Sequence, residues 1–147
     1  MIVGGSIDVS IVILNYNGEE LLPQCLPSVV RAAKQASLPA RVNILDNLST
    51  DGSLDYVREN FPEVLIERAP ANRILCSYND YLPKLQESVV ILLNNDIRVD
   101  PDFVDPLIEK FKEEPSTFLV APLVMSFDGS RVEAGRSKAG IRWGFFW

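Results

Sequence analysis

Apolar residues along this chain follow two alternating patterns. Short β-branched runs read as strands, and between them apolar positions return at three- and four-residue spacing, as on one face of a helix. Val9 to Leu14 is the first run and ends abruptly at Asn15-Tyr16-Asn17-Gly18. Leu22, Cys25, Leu26, Val29, Val30 and Ala33 then form one helical stripe, inside which Pro27 is predicted to bend the helix or delay its start. Arg41 to Leu45 predicts a second strand running into Asp46-Asn47-Leu48-Ser49-Thr50-Asp51-Gly52-Ser53, whose Ser, Thr and Asp suit a helix cap. Leu54, Val57 and Phe61 supply the buried side of that helix.

Val64 to Glu67 predicts a third strand, and Leu75, Tyr78, Leu82 and Leu85 a further stripe disturbed at its end by Pro83. Ser88 to Leu93 is the most hydrophobic run and is therefore predicted to lie centrally in the sheet, with Asn94-Asn95-Asp96 at its carboxyl end. Asp100-Pro101 reads as a helix opening, with Phe103, Leu107, Ile108 and Phe111 burying the helix. Thr117 to Ala121 and Leu123 to Phe127 are strand candidates, and Asp128-Gly129 is a hairpin turn into Ser130 to Ala134. Together the alternation predicts an α/β fold, a mostly parallel sheet with helices on both faces.

The 147 residues allow one compact domain, 1–147, and no second. An apolar share of 47% with 23% charged residues removes disordered and collagen-like classes. The exception to this ordinary pattern is the end. Arg136 to Arg142 is basic and glycine-bearing, and Trp143-Gly144-Phe145-Phe146-Trp147 places four aromatic rings in five residues. This 136–147 tail reads either as a terminal plug docked in a groove or as the cut end of a domain.

Charge and residue types then narrow the chemistry. A net charge of −6 argues against nucleic-acid binding, which needs a basic face. There is no histidine, which excludes Ser-His-Asp and Cys-His catalysis and any imidazole-based metal site. Cys25 and Cys76 have no CxxC spacing and are predicted to be buried free thiols. The longest apolar run, Val89 to Leu93, is five residues, against about 20 for a membrane span, and no signal peptide is visible at Met1 to Ser10.

In an open α/β sheet, ligands bind outside the carboxyl ends of the strands. Three predicted strand ends carry side chains that bind more readily than they pack: Asn15-Tyr16-Asn17, Asp46-Asn47 and Asn94-Asn95-Asp96. Neither GxGxxG nor GxxxxGK[ST] is present, so a nucleotide bound here has no glycine cradle for its diphosphate. A divalent cation, Mn²⁺ or Mg²⁺, held by Asp96 with Asn94 or Asn95 assisting, would neutralise it instead. Asp46 suits a base or ribose edge, and Tyr16 offers a face for stacking.

The succession VSIVILNYNG, ILDNLSTDGS and VVILLNNDIRVDPDFVDPL resembles the nucleotide-sugar half of the large family-two inverting glycosyltransferases of GT-A fold, particularly the rhamnosyltransferase-like branch. The resemblance covers roughly Asp8 to Gly135 and rests on the joint order of its motifs. It implies a Rossmann-like nucleotide-diphospho-sugar transferase fold, apparently truncated. By position, Asp46 would contact the nucleobase, beside Asn47, Asn15 and Tyr16. Asn94-Asn95-Asp96 would stand for the DxD-type metal motif, with Asp96 as metal ligand. In place of the usual glycine-rich segment this chain has Asn72-Arg73-Ile74-Leu75-Cys76-Ser77-Tyr78-Asn79, where only Asn72 and Asn79 fit, and Leu48 stands where a small residue is usual. The family's catalytic base is expected beyond Trp147.

The resemblance thus implies metal-assisted, inverting transfer of a hexosyl or deoxyhexosyl group from a UDP- or dTDP-linked sugar to a glycan or lipid-linked acceptor. It places that role in polysaccharide biosynthesis, in the cytoplasm or at the inner face of the membrane. A non-catalytic nucleotide-sugar-binding or partner-binding module is the alternative.

Overall fold

The computed structural model describes residues 8–114, 116–134, 141–142 and 145–146. The β-branched runs form a parallel sheet of four strands: β1 Val9–Asn15, β2 Ala40–Asp46, β3 Leu65–Arg68 and β4 Val89–Asn94, in the order β3-β2-β1-β4. Alternation within each strand sorts side chains to opposite faces. Val9, Ile11 and Ile13 of β1, Val42 and Ile44 of β2, and Val89, Ile91 and Leu93 of β4 form the larger core. It is covered by α1 (Leu22–Gln35), α2 (Ser53–Asn60) and α4 (Val104–Glu113). Val12, Leu14 and Leu45 face the other way, against Tyr78 and Tyr81 of the short helix α3 (Tyr78–Tyr81). At roughly 1.5–3 kcal/mol per fully buried large aliphatic side chain, these two layers supply the main drive for folding. They confirm the predicted sheet with helices on both faces.

Polar groups inside the sheet are paired. Asn43 on β2 donates to the Ser10 hydroxyl on β1 at 2.7 Å, both buried, which satisfies a cross-strand amide that would otherwise be costly. The Tyr78 hydroxyl donates to the Leu93 carbonyl at 2.7 Å and ties α3 beneath β4, and burial pushes its pKa up to about 12.

Several expectations are corrected. β4 is an edge among the described strands, paired with β1 alone, and Leu92 on it is 45% exposed. Its apolar density reflects how deeply Val89, Ile91 and Leu93 face the helices, which says nothing about how many strands flank it. Pro27 does not delay the start of α1, which begins at Leu22 and keeps the proline inside it. The proline forfeits a hydrogen bond and crowds the carbonyl one turn back, a cost of roughly 3 kcal/mol, and the continuous stripe of buried side chains offsets it. Asp100-Pro101 forms a turn, closed by the Phe103 N–H on the Asp100 carbonyl, and α4 begins at Val104.

The stripe over Leu75 to Leu85 breaks into a 3-10 turn Ile74–Ser77, α3 and a second 3-10 turn Leu82–Lys84, leaving Leu75 exposed. Residues 117–121 form no strand, and Leu123 to Phe127 narrows to β5 (Val124–Met125), which pairs antiparallel with β6 (Val132–Ala134) across the predicted hairpin. Cys25 is buried as expected, but Cys76 is exposed because its segment turns outward. The tail contributes a backbone pair, β7 (Ile141–Arg142) with β8 (Phe145–Phe146); the remaining tail positions, Trp143, Gly144 and Trp147 among them, lie outside the described residues. Among the described residues no helix is long and apolar enough to cross a membrane.

Candidate nucleotide and metal site

Parallel pairing in register brings the three polar strand ends to one level. Asn15 pairs with Asp46, Leu14 with Asn94, and Asp46 with Arg68. Asn15, Asp46 and Asn47 are thereby assembled at one place, and all three are buried.

Asn15 is wholly buried at the centre of this group. Its amide nitrogen faces Ser49 Oγ and Ser53 Oγ, each at 3.1 Å, and Asp46 Oδ1 at 3.4 Å. Its amide oxygen accepts from Asn95 Nδ2 at 2.9 Å. Asp46 receives the Ser49 N–H on both carboxylate oxygens, at 3.3 and 3.1 Å, and Arg68 Nε stands 3.7 Å from Oδ2. The Asp46 side chain has no exposed surface whereas Arg68 is 61% exposed, so the guanidinium is the solvent-facing partner of a sealed carboxylate.

The loops after β1 and β2 are interlocked by reciprocal bonds. Asn17 donates its N–H to Ser49 Oγ and accepts the Thr50 N–H, at 3.0 and 2.9 Å. Glu19 donates its N–H to Asp51 at 2.9 Å and accepts the Gly52 N–H at 3.3 Å. Burial pushes the Asp51 carboxyl up, but hydrogen bonds from Ser53 and from the Glu19 N–H outweigh this and hold it below its ordinary 3.8. Gly52 occupies the cap position of α2, and the Asp51 carboxylate receives the Ser53 N–H at 3.2 Å, so the predicted capping role falls to Asp51 one residue earlier.

Gly18 is required by close approach. A Cβ there would lie 2.3 Å from Asn15 Oδ1 and 2.6 Å from Asn95 Nδ2, on top of the bond between them. Its carbonyl also accepts the Leu21 and Leu22 N–H groups and starts α1.

Three non-glycine residues around this rim have left-handed backbones: Asn17 (φ 49°), Leu48 (φ 66°) and Ile74 (φ 55°). For β-branched Ile74 this is a strained conformation, held by two neighbours. Asn72 Oδ1 accepts the Ile74 N–H at 3.0 Å, and Asn47 Nδ2 donates to the Ile74 carbonyl at 3.1 Å. Ile74 is 75% exposed as a result. Asn47 Oδ1 is buried with no partner among the described residues.

The other candidate residues stand in the open. Tyr16 is 54% exposed, and Asn72, Asn79, Asn94 and Asp96 are exposed. Asn94 and Asp96 border a cavity of about 880 Å³ between the end of β4, α4 and the β5–β6 hairpin. Arg98 crosses it, with its guanidinium 5.0 Å from the Phe127 ring centroid and donating to the Phe127 carbonyl. A cavity of about 430 Å³, lined by Val30, Lys34, Val42 and Leu65, lies at the other end of β2 and touches none of the strand-end loops.

As a cation site, the β4 end offers one carboxylate and two amides. Among the described residues no cluster of three His, Cys, Asp or Glu side chains exists. All-oxygen donors with a single carboxylate fit Mg²⁺ or Mn²⁺ in the mode where ligand phosphates and water complete the shell, and fit no all-protein cage. Asn15, Asp46 and Asn47 are legible in the sequence as polar groups at strand ends, whereas Ser49 and Ser53 read there as caps and Arg68, Gly18 and the Asn15–Asn95 bond are not singled out. Only Gly18, directly after a polar strand end, carried a signal in the sequence.

Comparison with known proteins identifies the family and the fold. The family model for glycosyl transferase family 2 matches residues 10–146. The undecaprenyl-phosphate 4-deoxy-4-formamido-L-arabinose transferase of Pectobacterium carotovorum subsp. carotovorum (strain PC1) is 30% identical over 107 residues, which are 69% of this chain and 33% of that protein. Among solved structures, S. aureus TarS 1-349 superposes with a TM-score of 0.60 at 18% identity, covering 74% of this chain and 33% of its own. The same protein has been solved with UDP-GlcNAc and with UDP. The mannosyltransferase PcManGT of Pyrobaculum calidifontis, in complex with GDP-Man and Mn²⁺, superposes with a TM-score of 0.52 at 20% identity, covering 64% of this chain and 29% of its own. The chain therefore spans about a third of the length of these proteins, and the likenesses establish the GT-A fold.

Proposed function

The chain belongs to glycosyl transferase family 2, and from that premise we propose that it forms the donor-binding part of an enzyme that moves a sugar from a nucleoside-diphosphate sugar to an acceptor hydroxyl. The observation that carries this reading is the in-register convergence of the Asn15, Asp46 and Asn94 strand ends, with a sealed acid on one side and an open acid on the other. The transferase name of the Pectobacterium relative and the nucleotide-sugar complexes of TarS and PcManGT support it.

Asp46 and Asn47 would select the nucleoside, Asp46 once the ligand displaces Arg68, the exposed guanidinium that stands against it. The orphaned Asn47 Oδ1 costs roughly 1–3 kcal/mol as it stands, and an N–H or hydroxyl of the ligand would remove that cost. Tyr16 would stack on the base and Asn72 would hold the neighbouring loop. Asp96, with Asn94, would hold Mn²⁺ or Mg²⁺, which supplies positive charge to the diphosphate. In the transfer, the acceptor oxygen bonds to the anomeric carbon as the carbon–phosphate oxygen bond breaks. The hydroxyl proton passes to a carboxylate base, and the nucleoside diphosphate leaves. Inversion, a UDP- or dTDP-linked hexosyl or deoxyhexosyl donor, a glycan or lipid-linked acceptor, a cytoplasmic site at the inner membrane face and a role in polysaccharide biosynthesis complete the proposal. The base is assigned to no residue of this chain.

A second reading, nucleotide-sugar binding without transfer, is favoured by the single carboxylate at the β4 end. Calorimetric titration of UDP and dTDP with and without Mn²⁺ tests the shared premise. Binding is expected for the parent chain, lost for Asp46→Ala, and insensitive to Mn²⁺ for Asp96→Ala. Absence of nucleotide binding by the parent chain overturns the proposal.

A further inference from the structure

Asp46 has no exposed surface, so as it stands in the free protein it faces no ligand. Among its described partners only one reaches solvent. Both carboxylate oxygens accept the Ser49 N–H and Oδ1 faces the Asn15 amide, and these two partners are buried. The third partner, Arg68, is 61% exposed. In-register pairing of Asp46 with Arg68, the last residues of β2 and β3, sets the guanidinium beside the carboxylate.

Arg68 is held loosely. Its Nε lies 3.7 Å from Asp46 Oδ2, an ion-pair distance too long for a hydrogen bond. The neighbouring acid on β3, Glu67, is already paired with Lys84 at 2.6 Å. An ion pair with an exposed member contributes little, so the guanidinium can leave Asp46 at small cost. The Ser49 and Asn15 contacts are fixed by further bonds, from Asn15 to the Ser49 and Ser53 hydroxyls and from the Asn17 N–H to Ser49. Departure of Arg68 leaves a buried carboxylate short of a donor, which is costly. A carboxylate only accepts hydrogen bonds, so whatever takes the place of Arg68 must bring an N–H or O–H.

We infer that Arg68 is a gate on the nucleoside side of the site: it covers Asp46 in the free protein, and a base binds there by competing with the guanidinium. This rests on the donor-site reading proposed above. It goes beyond that reading by making Arg68 a specificity-determining residue, which weakens every ligand and excludes those that bring no donor to Asp46. A uracil-type base qualifies through its ring N–H. The gate acts on the base and not on the diphosphate or a cation, because β3 and β4 lie at opposite edges of the described sheet, about 14 Å apart at three strand spacings.

The test uses uridine, a neutral ligand without phosphates, and 3-methyluridine, which lacks the ring N–H. Each is titrated by NMR into the parent chain and into Arg68→Met, which keeps much of the apolar stem without the charge. Uridine is expected to bind Arg68→Met about two- to fivefold more tightly, the range over which an exposed ion pair competes. 3-Methyluridine is expected to gain nothing. Raising salt from about 50 mM to about 500 mM screens the ion pair, so uridine should tighten on the parent chain and not on Arg68→Met. Thermal melting verifies that the variant is folded. If it is not, the parent chain decides, and uridine binding that fails to tighten with salt overturns the gate. Uridine binding that is unchanged or weaker in Arg68→Met also overturns it, as does an equal gain for 3-methyluridine. In those cases uridine binding by the parent chain leaves the donor-site reading standing. If neither protein binds uridine or UDP, both fall.

Discussion

At the ends of β1 and β2 the polar side chains are already bonded to one another and sealed from water, whereas at the end of β4 Asn94 and Asp96 stand exposed beside a cavity of about 880 Å³. Asp46 and Asp96 are both acids at parallel strand ends, yet one is held by the Ser49 N–H, Asn15 and Arg68 and the other is not among the described hydrogen bonds. The difference is set by the following loop. After β2 the chain returns immediately into α2, which packs Ser49 and Ser53 back onto Asn15, while after β4 it runs outward through Ile97 to Asp102 before α4 begins. A preorganised half and an open half on one rim suit a ligand with a part to be recognised and a part to be neutralised.

The contrast is broken most severely at Asn15. Asn15→Ala should cost roughly 2–4 kcal/mol of unfolding free energy, because Ser49, Ser53 and Asn95 lose a buried partner together, whereas Asp96→Ala should stay within about 0.5 kcal/mol. Urea denaturation of the two variants measures this directly, and equal losses would erase the distinction between the halves. A smaller effect of opposite sign is expected at Ile74. Relief of a left-handed backbone is worth about 1–2 kcal/mol, and the added freedom of an unfolded glycine takes back about 0.5–1 kcal/mol, so Ile74→Gly should raise stability by roughly 0.5–1 kcal/mol. A lowered melting temperature would mean that the Ile74 side chain contributes more than its 75% exposure implies.

The smallest effect concerns pH. Asp51 has a folded pKa below its ordinary 3.8, so its contribution is present above about pH 4 and is lost as pH falls through the depressed folded value. Asp51→Asn should therefore be less stable than the parent chain at neutral pH, with the gap closing as pH falls through the depressed folded value. Unfolding followed across this range checks it, and a gap that persists in acid would assign the effect to packing.

Much of the fold was legible because hydrophobic periodicity and burial are the same fact seen twice. The stripe Leu22, Cys25, Leu26, Val29 and Val30 is buried as its spacing requires, and β1, β2 and β4 lie within a residue or two of the runs that predicted them. The segment from Asn72 to Leu85 was less legible. Its apolar spacing fits one helix, but the Asn72 and Asn47 bonds to Ile74 turn the backbone left-handed and expel Leu75, and neither bond leaves a periodic trace. The candidate-site residues Asn15, Asp46 and Asn47 were legible as polar groups placed where strands stop. The bonding of Asn15 to Asn95, eighty positions along the chain, was not.

The sequence by itself determined which residues stand at the strand ends, that none of them is a histidine, and that the layers are a sheet between helices. These are local properties, set by side-chain chemistry and spacing. Only the tertiary structure decided that β4 lies at the edge of the described sheet, that Asp46 is sealed while Asp96 is open, and that Asn15 serves as a hub with no surface of its own. Strand order and register are long-range pairings, and they alone bring residues from distant loops within hydrogen-bonding distance.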